Sequence, residues 1–162
     1  PGMDTLPGPF DTLSGYRQAI DCILSSASRE LCIFDRDLEK TGLGSRQYAD
    51  RLSAFLAGGR DRMLRIVLHD TEHAMRYSPR LMTLLKRYSH NFIVRQSSES
   101  LRSLSDCFIL ADSTSGVIRF HEDHFRGKLL LGQSEEIHAW HQRFEDLWTE
   151  SVPGIAATHL GL

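Results

Sequence analysis

Cysteine is scarce in this sequence and is not arranged as a disulfide or metal framework. The three cysteines, Cys22, Cys32 and Cys107, are odd in number, and none belongs to a C-x-x-C pair. This pattern excludes a disulfide scaffold and a zinc ribbon. All three lie in apolar stretches, so we expect reduced, buried thiols.

Long apolar runs and an excess of one charge are also missing. No run approaches the roughly 18 residues that a membrane span needs, and the N-terminal PGMDTLPGPF lacks the basic segment and apolar core of a signal peptide. We therefore expect no membrane span and a cytoplasmic location. The formal net charge of −2 attracts neither nucleic acid nor anionic membranes, which argues against a nucleic-acid partner.

The hydrophobic pattern predicts one α/β domain over residues 14–162, preceded by an irregular arm at residues 1–13. Short apolar runs alternate with amphipathic stretches in the first half, which favours a partly parallel sheet with helices on both faces. The later strands form an antiparallel meander, so the sheet is predicted to be mixed. Strands are expected at 31–34, 63–68, 91–95, 108–111, 117–120 and 128–131. Helices are expected at 14–27 (with Ser14 as N-cap), around 48–56, at 79–88 and from 134. Residues 96–103 are predicted to form a short helix or a loop, and the tail after Pro153 is predicted to lie on the surface.

The hairpin at residues 104–122 is the predicted centre of the domain. Its apolar run ends at Asp112, a turn follows at residues 113–116, and polar groups lie at its two ends. In open α/β sheets, strand ends line ligand crevices. The residues at or near such ends are Asp35, Asp37, Asp70, Arg95, Ser105, Asp106, Cys107, Arg119, His121 and Glu122.

Two local patterns resemble the phospholipase D superfamily. One half of such an enzyme carries H-x-K-x4-D on a strand and ends in a helix with an F-x3-W-like pattern. Here CFILAD, ending at Asp112, resembles the second part of the signature, and Phe144 and Trp148 in RFEDLWTES resemble the closing helix. The resemblance covers residues 14–151 and implies a phospholipase D-like mixed sheet flanked by helices on both faces. It points to the small bacterial members that consist of a single half.

The signature itself departs from the family pattern. Counting back from Asp112, its histidine falls on Ser105 and its lysine on Cys107. The family's chemistry needs a histidine nucleophile, a partner histidine as general acid and lysines on the phosphate oxygens. The resemblance therefore implies a catalytically degenerate domain that needs no cofactor and serves as a binding or assembly module. Its vestigial pocket would comprise Ser105, Cys107, Asp112, Arg119, His121 and Glu122.

The expected partners also follow from the resemblance. Single-half members pair two halves about a two-fold axis, which implies a homodimer, and two-fold pairing is the commonest oligomer symmetry. A protein partner or a small anion at the vestigial pocket is the other candidate. Arg95 and Arg119 have the guanidinium groups that hold phosphate or carboxylate in a bidentate manner.

A hydrolase with a replaced site is the alternative hypothesis. Cys107 would be a nucleophile if His121, on the neighbouring strand, acted as its base. A metal would instead need histidines with acids, and the candidates are His69 and His73 at i, i+4 spacing and His121 with His124. His138 and His141 on the last helix form a further pair.

Overall fold

The computed structural model describes residues 7–132 and 134–156. Eight strands form one mixed sheet in the order β1-β7-β6-β5-β2-β3-β4-β8. The predicted α/β class is confirmed. The strands are β1 (Gly8–Phe10), β2 (Glu30–Asp35), β3 (Met63–Leu68), β4 (Phe92–Gln96), β5 (Cys107–Ala111), β6 (Ser115–Arg119), β7 (Gly127–Leu131) and β8 (Val152–Ile155), and the helices are α1 (Leu13–Ser26), α2 (Arg46–Ala57), α3 (Glu72–Tyr77), α4 (Pro79–Arg87) and α5 (Glu135–Thr149).

Strands β2, β3 and β4 run parallel in the middle of the sheet, and all the other pairings are antiparallel. Five of the six residues of β2 are buried, as are all five of β5. Such continuous apolar strands belong where both faces of a sheet are covered. The buried hairpin β5–β6 therefore lies inside the sheet, as its sequence predicts.

Two apolar cores cover the two faces of the sheet. On one face, α1, α2 and α4 pack on alternate strand residues that include Ile33, Ile66 and Ile109. On the other, Phe144 and Leu147 of α5 pack on the intervening residues, among them Phe34. The side-chain period of two along each strand produces this division. Helices on both faces are thus confirmed.

Helix caps explain where the long helices begin. The Thr12 side chain accepts a hydrogen bond from the Gly15 amide at 3.0 Å, and Ser45 and Ser134 cap α2 and α5 in the same way. The prediction of Ser14 as N-cap of α1 was wrong by two residues. Thr12 has the extended backbone that an N-cap requires.

Several short elements depart from the sequence prediction. Residues 8–10 of the expected irregular arm form β1, which pairs with β7. Residues 152–155 form β8 beside β4, so the first two residues of the expected surface tail, 154 and 155, belong to a strand. Residues 1–6 and 157–162 lie outside the described residues. The hairpin turn is shorter than expected, because β6 already begins at Ser115. A 3₁₀ turn at Glu99–Leu101 occupies the segment predicted as a short helix or a loop.

None of the helices in the described ranges has both the length and the apolar character needed to cross a membrane.

Candidate functional site

The candidate site lies where the three parallel strands end. Asp35 ends β2, His69 follows β3 and Ser97 follows β4. Because β5 is antiparallel to β2, its first residue, Cys107, and the last residue of β6, Arg119, lie at the same end of the sheet. We call this end of the sheet the carboxyl edge.

A buried ion pair occupies the centre of the carboxyl edge. Arg119 is 1% exposed and Asp35 is 2% exposed. Nη2 of Arg119 lies 3.2 Å from Oδ1 of Asp35, while Oδ2 of Asp35 accepts hydrogen bonds from the amides of Asp37 and Leu38 at 3.3 and 2.8 Å. Both oxygens of this carboxylate are therefore engaged.

The remaining donors of Arg119 hold the loop that follows β6. Nη1 donates to the carbonyls of Glu122 and His124 at 2.8 and 3.2 Å. Nη2 also contacts Sγ of Cys107 at 3.4 Å. The guanidinium thus ties the loop to β2 and β5. Its Nε has no hydrogen-bond partner among the described residues.

Aromatic rings enclose the same guanidinium. Cζ of Arg119 lies 5.0 Å from the ring centroid of Tyr16 and 6.0 Å from that of Phe125. Lys40 reaches over Phe125 and donates to the Glu122 carbonyl at 2.9 Å. Burial works to lower the pKa of Arg119, but Tyr16, Cys107 and Asp35 outweigh it and raise the pKa. The arginine therefore stays charged.

Cys107 is not prepared as a nucleophile. Burial first, and the Asp35 carboxylate second, raise the pKa of its thiol well above the ordinary value. Nucleophilic cysteines need the opposite shift. His121 points to its own loop, where Nδ1 accepts from the Asp123 amide at 3.1 Å and lies 3.7 Å from the Asp123 carboxylate. In the described structure no hydrogen bond joins this ring to the thiol.

The predicted pocket is only partly brought together. Ser105, Cys107, Arg119 and Glu122 meet at the carboxyl edge, where the Glu122 amide donates to the Ser105 carbonyl at 2.7 Å. Asp112 lies at the opposite end of the sheet. Its carboxylate accepts from the amides of residues 28, 29 and 30 at 3.1, 2.8 and 3.0 Å. Asp112 thus caps the start of β2, and the length of β5 separates it from the other pocket residues.

The histidine pairs have different surroundings from those expected. In His69, Nε2 donates to the Leu104 carbonyl at 2.8 Å and Nδ1 bonds Oγ of Ser97 at 2.6 Å, so both ring nitrogens are engaged. His73 belongs to α3, whereas His69 precedes that helix, so the two do not share a helix face. The rings of His121 and His124 lie 5.6 Å apart.

Two groups of three metal-ligating side chains occur in the described ranges. In each group the ligand atoms lie within 4.8 Å of one another. Asp37, Glu39 and His73 form one group near the carboxyl edge. The other, at the opposite end of the sheet, consists of Glu30, Cys32 and His141, and the sequence did not single it out.

Other strand-end residues have local structural roles. Asp70 accepts a hydrogen bond from the Glu72 amide at 2.9 Å. Arg95 donates to Oγ and to the carbonyl oxygen of Ser151, both at 2.6 Å. Sequence reasoning missed Tyr16, Lys40 and Phe125 at the site. Tyr16 has the spacing of a helix core residue, and nothing in its local pattern indicates a contact with Arg119.

Solved structures of low sequence identity share this fold. The chain is similar to TrmBL2, an archaeal chromatin protein, with a TM-score of 0.69 and 9% identity over 94% of this chain and 56% of that one. It is similar to NucT from Helicobacter pylori, with a TM-score of 0.64 and 14% identity over 92% of this chain and 99% of that one. It is also similar to Nuc from Salmonella typhimurium, a phospholipase D family member, with a TM-score of 0.58 and 11% identity over 93% of this chain and 97% of that one. The predicted phospholipase D-like fold is confirmed.

A match to a sequence family is more specific than a shared fold. A search of curated proteins finds no match. The model of one family, described as a domain of unknown function (DUF7931), matches residues 12–159. The chain therefore belongs to the DUF7931 family and has a phospholipase D-like fold.

Proposed function

We propose that this chain is a catalytically inactive phospholipase D-like domain that acts as an assembly module. The observation that carries the proposal is the buried Asp35–Arg119 pair at the carboxyl edge, beside Cys107. At the positions that correspond to the signature histidine and lysine, the chain has Ser105 and Cys107. The scaffold is kept, and the reacting groups are replaced by groups that hold the loop.

The chemistry of the site supports this proposal. Phosphoryl transfer through an enzyme intermediate needs a nucleophile, a general acid and cations that are free to bind phosphate oxygens. The outer nitrogens of Arg119 already bond Asp35 and two backbone carbonyls. A phosphate would have to displace these buried partners. At the carboxyl edge, Arg119 instead holds the loop that follows β6.

The partner that we propose is a second copy of this chain. A groove of about 690 Å³ lies along β1 and β7, next to the carboxyl edge. Two large apolar side chains at this groove are exposed, Phe120 at 47% and Leu131 at 41%. Asp11 and Arg126 line this groove, and the same two residues together with Asp123 line a second groove beside it. Because both charge signs are present, a two-fold axis can place an acid of one copy opposite a base of the other.

Light scattering tests the homodimer. At high micromolar concentration we expect twice the mass of one chain for the wild type. Phe120→Asp should give the mass of one chain, because it places a charge in the interface. Tyr77→Asp is the matched control, since Tyr77 is an aromatic residue with 63% exposure elsewhere on the surface. A wild-type protein with the mass of one chain, or a Phe120→Asp dimer, would overturn the homodimer.

DNA binding has less support. TrmBL2 binds DNA, but the present chain spans 56% of TrmBL2 and has a net charge of −2. Non-specific binding to DNA depends on neutralising its phosphates with basic side chains.

A metal-dependent hydrolase is the second candidate function. The observation in its favour is the group of Asp37, Glu39 and His73 close to the carboxyl edge. Oxygen and imidazole ligands suit ions such as Mn²⁺ and Zn²⁺. This function requires Mn²⁺-dependent hydrolysis of a phosphodiester that is lost in His73→Gln. The control His90→Gln alters an exposed histidine outside the group and should retain it.

A further inference from the structure

The side chains of Glu30, Cys32 and His141, here named the Cys32 cluster, come from two elements on the α5 face of the sheet. Glu30 and Cys32 are two residues apart on β2, so they point to the same face. His141 reaches them from α5. Their ligand atoms lie within 4.8 Å of one another. Cys32 is fully buried, whereas the side chain of Glu30 is 41% exposed.

The hydrogen bond of His141 favours a ligand role. Nε2 lies against the Asp112 carbonyl. Because a carbonyl only accepts, Nε2 carries a hydrogen, and in the neutral imidazole Nδ1 therefore retains its lone pair. Histidines that bind metals commonly donate their other N–H to a carbonyl or a carboxylate in this way.

Arg65 lies beside the Cys32 cluster and has other partners that can hold it there. Its guanidinium is 3.6 Å from Sγ of Cys32 and 3.8 Å from the Glu30 carboxylate. It makes two hydrogen bonds to Glu145, at 2.9 and 2.6 Å, and it lies over the rings of Phe144 and Trp148 at 5.1 and 5.3 Å. It would not have to leave if an ion bound.

The charges of the whole group also favour a divalent ion. With the thiol protonated, the carboxylates of Glu30 and Glu145 exceed the single charge of Arg65 by one. If a divalent cation replaces the thiol proton, three negative groups balance Arg65 and the ion. The bound group is then neutral, which is the less costly state around the fully buried Cys32 sulfur.

We propose that the Cys32 cluster is a zinc site of the open type. One thiolate, one imidazole and one carboxylate are ligands that Zn²⁺ accepts, while the hard ions Mg²⁺ and Ca²⁺ select oxygen alone. Three protein ligands leave the fourth position to water, on the side where Glu30 is exposed. Binding transfers the thiol proton to solvent and joins β2 to α5. This site lies at the other end of the sheet from the carboxyl edge and is independent of the function proposed for that edge.

Titration with Co²⁺ tests the site on the full chain, reduced and freed of metal with EDTA. A thiolate bound to Co²⁺ gives an intense near-ultraviolet charge-transfer band. We expect this band to saturate at one equivalent and to disappear when Zn²⁺ is added. Asp37, Glu39 and His73 contain no sulfur, so ions bound there do not produce the band.

Variants identify the ligands. Cys32→Ala should abolish the band, and Glu30→Gln and His141→Gln should weaken Co²⁺ binding at least tenfold. The last two alter partly exposed side chains, so they keep the test valid if Cys32→Ala does not fold. Cys22→Ala and His138→Gln, which make the same kinds of change outside the cluster, should bind like the wild type. The proposal is overturned if the wild type gives no band, or if Glu30→Gln and His141→Gln bind Co²⁺ with wild-type affinity.

Discussion

Removing the charge of Arg119 should greatly destabilise the domain. Its guanidinium makes four polar contacts, two to carbonyls of the loop after β6, one to Asp35 and one to Cys107. In Arg119→Met these are lost, and the Asp35 carboxylate remains buried with only two amide donors. Breaking a buried ion pair from one side costs about 3–5 kcal/mol. That is a large part of the roughly 5–15 kcal/mol that stabilises a typical domain.

Urea denaturation at neutral pH measures this loss, and a double variant separates its causes. In Arg119→Met with Asp35→Asn no unpaired charge is buried, so its destabilisation should fall short of the sum of the two single changes by about 1–3 kcal/mol. Arg51→Met is the surface control. Arg51 and Asp21 pair at 3.1 Å with side chains 36% and 38% exposed, so it should cost less than about 1 kcal/mol. A cost for Arg119→Met no greater than that control, or additive single changes, would refute the reasoning.

Two further predictions concern residues that the sequence had placed at the site. Asp112→Ala should lower the free energy of unfolding by about 1.5–3 kcal/mol, because a charged cap for three amides is lost. Asp112→Asn, measured in the same denaturation experiment, should lower the free energy of unfolding by less. Equal losses in the two variants would contradict a capping role. Labelling of the native protein with a thiol reagent, followed by mass spectrometry, should modify Cys22 first, because Cys32 and Cys107 are buried; early labelling of Cys107 would contradict its inert state.

The layered fold could be predicted because its central strands are short runs of almost entirely apolar residues. A run such as Phe108–Ala111 has no polar residue, and the amphipathic spacing of the long helices is regular, so both elements are visible locally. The edge strands β1 and β8 contain Pro9 and Pro153, which oppose a strand prediction, and they form because a neighbouring strand supplies their partners. Helix α3 has six residues and one buried side chain, Ala74, so it has no apolar face to detect.

The site was harder to predict because its contacts are distant in sequence. Asp35 and Arg119 are separated by 84 positions, and nothing near either residue indicates the other. Placing Asp112 in the pocket treated neighbours in sequence as neighbours in space. Five steps along an extended strand cover about 17 Å, so Cys107 and Asp112 lie at opposite ends of the sheet. The same limitation concealed the Cys32 cluster, whose members come from β2 and α5.

Hydrolysis of bis(4-nitrophenyl) phosphate tests the central claim most directly, with the full chain assayed in EDTA and in Mn²⁺ or Zn²⁺. The account predicts that release of 4-nitrophenolate in every condition equals that of a blank without protein. Turnover in EDTA that disappears in Cys107→Ser or His121→Gln would contradict it and indicate a working thiol site. Turnover only with metal, lost in His73→Gln, would contradict it in favour of the metal-dependent hydrolase.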